Sequence, residues 1–301
     1  MVSRGYSSAF SAALACAGLT FCSLNGPAAE DVVLARADSL RQAGSEQPGL
    51  GNPVVQRLAE NVYAITDLYH SAGARAGVNA GIVFTRNSVV FIDAGMTVAS
   101  GQFLWDLASA RIHGHEQVFL ILTHHHADHV FGMRVFEDRR ARVIAHHWLA
   151  TELKDDRGFY KSFITRMMGW TSQQGDEILG DVVLSAPDQT IEGDYVLDLD
   201  GDELHLLYTP GHERDELVVY HPSSKTIFAG DALYEGMPPN TQFGGPAEWK
   251  SWIQHLERLK SLEIRTIVPG HGMLSSESLI DENISYLKGL LTATPGTTLQ
   301  C

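Results

Sequence analysis

The sequence predicts an α/β fold made of two similar sheet-plus-helix units packed together. Short apolar runs bounded by turn residues read as strands, and longer segments with apolar residues at helical spacing read as helices. Strands precede helices in the first half of the chain, and the second half repeats that order. The 301 residues, 44% of them hydrophobic, suit one well-packed domain or two small ones.

Residues 1–29 hold Arg4, no acidic residue, and a Ser/Ala-rich apolar stretch from Ala9 to Leu24, closed by Pro27-Ala28-Ala29 before Glu30. That pattern fits a cleavable signal peptide and an exported (periplasmic or secreted) protein, with a mitochondrial presequence as the alternative. The stretch is too short and too interrupted by Ser and Gly for a stable membrane span. Residues 30–53, polar and punctuated by Gly and Pro, read as a tether, residues 54–291 as the folded domain, and residues 292–301 as a tail.

Within the domain, 62–66, 81–85 and 88–92 fit strands, with Arg86-Asn87 as a hairpin turn. A helix is expected over 101–110, a buried strand over 118–122, a strand over 143–145 and a helical stretch over 148–169. The second half gives strands at 204–208, 216–220 and 226–229, then a helix over 247–260. Trp249, Trp252, Leu256 and Leu259 share one face of that helix and read as core. A strand at 266–268 and an amphipathic helix over 278–291 end the domain.

Thirty-six acidic residues against 22 basic ones give a formal net charge of −14. Without a Lys/Arg cluster to offset it, such a surface repels phosphate backbones, which argues against nucleic acid as a partner and for a small-molecule substrate. Cysteine occurs only at 16, 22 and 301, two of the three in the leader. No internal disulfide of the mature domain and no thiolate metal site is possible, so any metal must be held by nitrogen and oxygen. Nothing in the sequence fixes an oligomeric state.

Such donors are plentiful. Thr123-His124-His125-His126-Ala127-Asp128-His129 directly follows an apolar strand, placing His124 and His126 toward one focus and Asp128 and His129 toward a neighbouring one. One loop thereby offers two ligands to each of two adjacent cations, and imidazole with carboxylate suits zinc, manganese or iron. Gly211-His212, Gly230-Asp231 and Gly270-His271 also follow apolar strands, each with a glycine that lets the backbone approach closely. Isolated histidines beside strands are usually satisfied polar groups, the reading given to His125, His146 and His147. Seven titratable groups at strand ends call for metal. A structural zinc site would be closed and rich in cysteine, and this set has none.

The order His-x-His-x-Asp-His, Gly-His, Gly-Asp, Gly-His resembles the metallo-β-lactamase superfamily, and Phe91-Ile92-Asp93-Ala94-Gly95 matches that family's early strand-turn motif. The resemblance covers residues 54–291 and implies an αββα four-layer sandwich with the site on one edge. It implies two Zn2+ ions per chain (Fe or Mn being possible), with His124, His126 and His212 on one metal, Asp128, His129 and His271 on the other, and Asp231 bridging. Asp93 reads as a loop-fixing residue that orients ligands. The expected reaction is hydrolysis of a carbonyl-type bond (ester, lactone, thioester or amide) by hydroxide formed from a metal-bound water, with Asp128 orienting it. Tyr234, three residues after Asp231, is placed as in superfamily lactonases and could donate to the reacting oxygen; a packed core tyrosine is the other reading.

Substrate is less constrained, because a fold does not fix it. Aspartate at 231, where the best-known zinc β-lactamases carry cysteine, and no basic residue in 232–240 speak against efficient β-lactam hydrolysis, although β-lactamase-like activity stays an alternative. Only 30 residues follow His271, too few for the helical substrate domain of glyoxalase II. The layout, with Glu213–Val219 and the Met-Pro-Pro loop, looks most like exported hydrolases associated with quinoprotein and sulfur-oxidation systems. A persulfide dioxygenase with one iron and a non-catalytic metal-binding module are the remaining alternatives. Asp67–Asn79 reads as a flap, and Phe159, Tyr160, Phe163, Met167, Met168 and Trp170 as either a roof over the site or a helix packed on the core.

Overall fold

A computed structural model describes residues 31–44, 49–69, 77–114, 116–155 and 159–293. The leader, residues 70–76 of the expected flap and residues 294–301 of the tail lie outside the described residues. In chain order the elements are α1 (Val32–Gly44), β1 (Val54–Ala59), β2 (Val62–Thr66), β3 (Ala80–Phe84), β4 (Ser88–Ile92), α2 (Val98–Ser109), β5 (Gln117–Ile121), α3 (Ala127–Val130), α4 (Arg134–Glu137), β6 (Arg142–His146), α5 (His147–Asp155), α6 (Phe159–Met167) and α7 (Ser172–Leu179). There follow β7 (Gln189–Ile191), β8 (Tyr195–Asp198), β9 (Glu203–Tyr208), β10 (Leu217–His221), β11 (Thr226–Phe228), α8 (Pro246–Leu259), β12 (Thr266–Val268) and α9 (Ser278–Thr292).

The strands form a seven-stranded sheet in the order β1-β2-β3-β4-β5-β6-β7 and a five-stranded sheet in the order β12-β11-β10-β9-β8. Side chains alternate between the faces of each strand, and the alternation sorts the core into three layers. In β4, Val90 and Ile92 join Phe119 and Ile121 of β5 against Leu204, Leu206, Leu217 and Phe228 of the other sheet. Val89 and Phe91 point the opposite way, into a layer with Phe103, Leu104 and Leu107 of α2. On the far side, Val218 and Ile227 meet Trp252, Leu256 and Leu259 of α8 and Ile280, Ile284 and Leu287 of α9. Helix, sheet, sheet, helix is the αββα sandwich expected from the sequence. No helix among the described residues is long and apolar enough to cross a membrane.

Several segments differ from the sequence reading. Most of the expected tether is α1, docked on the domain rather than loose: Val33 and Ala37 are buried, and the Asp31 carboxylate accepts from the backbone N–H groups of Val33 and Leu34 and from the Tyr63 hydroxyl. An Asp cap followed by Val33, Ala37 and Leu40 at helical spacing is the signal that marks it. The stretch 148–169 is two helices, α5 and α6, rather than one. Helix α6 also divides the roof residues. Ile164 is buried, with Tyr160 and Met168 packed on the core, whereas Phe163 and Met167 are exposed; nothing is described for the Phe159 side chain. Strands β7 and β8 are three and four residues long, too short to show an alternating pattern.

Strand direction gathers the site. β10 runs antiparallel to both β9 and β11, and β11 is parallel to β12, so β9, β11 and β12 all end on the same edge. β4 and β5 are parallel in the other sheet, and Leu217 at the start of β10 donates its N–H to the carbonyl of Thr123, 2.9 Å, just past the end of β5. The loops after β5, β9, β11 and β12 therefore converge.

Candidate metal centre

All seven sequence-predicted donors meet at that edge. Ligand atoms of His124, His126, His212 and Asp231 form one group that could hold an ion, and those of Asp128, His129 and His271 form another. Asp231 reaches both: its Oδ2 lies 3.4 Å from His212 Nε2, and its Oδ1 lies 3.2 Å from His129 Nε2 and 3.4 Å from His271 Nε2. Asp128 Oδ2 lies 3.1 Å from His271 Nε2. His126 Nδ1 and His212 Nε2 face each other at 3.1 Å.

Four of the five histidines are held by the ring nitrogen that points away from the centre. His129 Nδ1 meets Asp93 Oδ2 at 2.8 Å, and His212 Nδ1 meets the Asn240 carbonyl at 3.0 Å. His124 Nδ1 meets Thr123 Oγ1 at 3.1 Å with Glu216 Oε2 behind it at 3.5 Å, and His126 Nε2 meets Glu213 Oε1 at 3.0 Å. The inward atoms His124 Nε2, His129 Nε2 and Asp231 Oδ1 are buried without a hydrogen-bond partner. Buried polar atoms are seldom left so. Orphaned donors facing the shared Asp231 from both groups, each backed by an orienting partner, are what a nitrogen- and oxygen-liganded metal centre requires, and the residues present fit it.

Charge follows the same division. Burial first, then the neighbouring imidazoles of His129 and His126, hold His124 well below the ordinary histidine range; burial brings His212 down to about 4. Both rings are therefore neutral at pH 7, the form that ligates. Burial opposes protonation of His129 and His271 too, but Asp93, Asp231 and Asp128 around the first, and Asp231 and Asp128 around the second, raise both. Burial would raise the Asp128 carboxyl, yet His129 and His271 hold it below the usual carboxylate range.

Close backbone approach depends on glycine at two positions. A Cβ on Gly270 would stand 2.1 Å from Asp231 Oδ1, and one on Gly230, where φ is +51°, would stand 2.5 Å from Glu216 Oε1. Only glycine fits either place.

Tyr234 is buried, and its hydroxyl donates to Asp231 Oδ2. Burial and that carboxylate push its pKa well up, keeping the proton on the oxygen. Its ring stacks on His271 at 5.7 Å, and Asn283 of α9 clamps its backbone N–H and carbonyl. The hydroxyl thus donates to a candidate ligand.

Asp93 ties β4 to the loop after β5: besides His129, it accepts from Thr123 N at 2.8 Å and Thr123 Oγ1 at 3.0 Å, from a left-handed backbone at φ 62°. Asp93→Ala would strand three buried donors, and we expect a loss of roughly 3–5 kcal/mol in unfolding free energy and a 10–100-fold weaker metal affinity. Urea melts and chelator competition measure these; an unchanged midpoint would contradict the role.

Sequence reasoning missed Glu213, Glu216 and Asn240 as orienting groups. His125 is satisfied as expected, through Asp215 Oδ1 at 3.0 Å. His146 stacks on Tyr208 at 4.2 Å and its Nδ1 accepts from the Trp148 N–H at 3.4 Å, while its Nε2 and His147 Nδ1 are buried without a hydrogen-bond partner, so for these two the expectation of satisfied polar groups is met only in part.

An αββα sandwich carrying a cysteine-free, two-group His/Asp centre on the edge where its strands end defines a class of metalloprotein. The sequence profile of the metallo-beta-lactamase superfamily matches residues 73–271, and the chain belongs to that superfamily. It is similar to the metallo-beta-lactamase type 2 of Elizabethkingia meningoseptica, 23% identical over 251 residues that cover 82% of this chain and 89% of that protein. The acyl-coenzyme A thioesterase MBLAC2 of Homo sapiens is 24% identical over 194 residues, 60% of this chain and 66% of that one. Among solved structures, a metallo-beta-lactamase from Pontibacter korlensis superposes with a TM-score of 0.59 at 22% identity, covering 78% of this chain and 99% of that one.

Proposed function

We propose that this protein is a metal-dependent hydrolase, with two zinc ions, that cleaves a carbonyl-type bond of a small molecule: an ester, lactone, thioester or amide. The observation that carries the reading is the pair of donor groups sharing Asp231, with inward atoms orphaned and outward nitrogens anchored. His124, His126 and His212 would hold one ion, Asp128, His129 and His271 the other, and Asp231 both. Two such dications, when bound, supply Lewis acidity toward a carbonyl oxygen and acidify a water.

The chain's own groups supply the rest. Asp128 is the more open of the two carboxylates, its side chain 27% exposed against 5% for Asp231. It can reach both an incoming water and the candidate ligand His271, so it orients the attacking oxygen and accepts its proton. Tyr234 holds Asp231 through its hydroxyl and is a positioning residue in this scheme. Two relatives are named a metallo-beta-lactamase and an acyl-coenzyme A thioesterase; a lactam and a thioester are both carbonyl-type bonds, and the absence of a basic residue in 232–240 favours the ester and thioester side. A single-iron dioxygenase would leave the Asp128, His129 and His271 group without a purpose.

Mass-spectrometric metal analysis of purified protein, followed by a panel of esters, lactones, thioesters and β-lactams, tests the proposal. Two zinc ions per chain are expected, with turnover that a chelator removes and added zinc restores. One iron per chain, or no turnover by the metal-loaded protein, would overturn it. Bound metal should also raise the melting temperature, since it binds only the folded chain. Export, and the likeness to hydrolases linked to quinoprotein and sulfur-oxidation systems, belong to the same proposal; fractionation with N-terminal sequencing of the mature chain checks the former.

A further inference from the structure

Beside the metal centre runs a groove of about 360 Å3 lined by residues that include Pro210, His212, Phe243, Ala247 and Ser251, a size within the range of small-molecule sites. His212 joins it to the candidate centre. Phe243 is 53% exposed, yet its ring sits 4.7 Å from that of His126 and 6.0 Å from that of His212. A large apolar side chain over two candidate ligands, at the mouth of this groove, offers an apolar contact to whatever enters it.

The charged residues along the groove already have partners. Glu213 faces His126 Nε2 at 3.0 Å. Arg214 gives its Nε–H to Glu152 at 2.8 Å and lies 4.1 Å over the Trp148 ring. Glu248 accepts from the backbone N–H of Gly245 at 2.8 Å. An anionic group entering here would find two carboxylates and a cation that is already neutralised, at a cost no apolar contact offsets.

We propose that this groove receives the uncharged, apolar end of the substrate, an alkyl or aryl acyl chain, and that Phe243 is the residue that selects for it. This rests on the hydrolase reading and names the substrate class for the same site. The acyl chain would lie along Phe243, Pro210 and Ala247 while its carbonyl stands over the histidines.

Two measurements keep the readings apart. With the metal-loaded protein, kcat/KM for p-nitrophenyl acetate, butanoate, hexanoate and octanoate should climb by up to about fourfold per methylene. Phe243→Ala should lower octanoate turnover about tenfold more than acetate turnover, and Ala247→Trp, which fills the groove from the exposed start of α8, should do the same. With metal-free protein, calorimetry should show 1-octanol binding that Phe243→Ala weakens, and octanoate binding markedly weaker than the alcohol. Esters hydrolysed without regard to chain length, in wild type and both variants, would overturn the groove while leaving the hydrolase standing. Octanoate binding as tightly as octanol would also overturn it. Octanol binding that depends on Phe243, without turnover of any ester, lactone, thioester or β-lactam, would instead sink the hydrolase and keep the groove.

Discussion

Asp231→Asn is expected to reduce bound metal from two ions per chain to one or none and to cut turnover by at least about a thousandfold. One carboxylate oxygen serves each donor group: Oδ1 faces His129 and His271, and Oδ2 faces His212 at 3.4 Å and His124 at 3.9 Å. An asparagine keeps the volume, which matters because Gly270 is pressed so close that even a methyl there would collide. It keeps only one acceptor oxygen, and its NH2 would point hydrogens at whichever cation lost the carboxylate. The Tyr234 hydroxyl, which donates to Oδ2, must then choose between following the remaining oxygen and losing its acceptor, a buried unsatisfied group worth about 1–3 kcal/mol. Metal content after gel filtration and kcat/KM on the best ester read the two effects separately. Two retained ions with wild-type turnover would show that Asp231 is shared by nothing.

What was legible in the sequence was whatever is local. His124 to His129 form one contiguous motif after one strand, and each of Gly211-His212, Gly230-Asp231 and Gly270-His271 is a two-residue signal after another, so the donors could be read without knowing the fold. The sheets that gather them were legible for the same reason: Val62–Thr66, Ser88–Ile92 and Thr266–Val268 coincide with β2, β4 and β12. The orienting shell was not, because it is chosen by approach in space. Glu213 meets His126 from 87 positions away, Asn240 meets His212 from the loop after β11, and Glu216 acts on His124 and on the Asp231 backbone together. Nothing about a glutamate in Glu213-Arg214-Asp215-Glu216 distinguishes it from a solvated acid until the strand beside it is placed. Helix α1 was missed differently. Its apolar stripe of Val33, Ala37 and Leu40 is present in the sequence but diluted by polar neighbours, and only the packing surface it covers gives it meaning.

Asp128→Ala should abolish turnover, by about two to four orders of magnitude, while the protein still folds. Asp128 sits in the first turn of α3, partly open to solvent, and fills no apolar layer. Truncation leaves no cavity in the core, and the rings it faces keep other counter-charges: Asp93 and Asp231 beside His129, and Asp231 beside His271. The melting temperature of the metal-free variant should therefore stay within a few degrees of wild type. The second donor group, by contrast, falls from three residues to two besides the shared Asp231, and the one carboxylate open enough to orient an attacking water is gone. Asp128→Asn separates the two losses, since an amide oxygen can still ligate but cannot accept the water's proton. If chemistry needs the proton acceptor, the asparagine variant recovers metal but not kcat. Recovery of both would confine Asp128 to holding the ion, and undiminished kcat in the alanine variant would remove it from the reaction altogether.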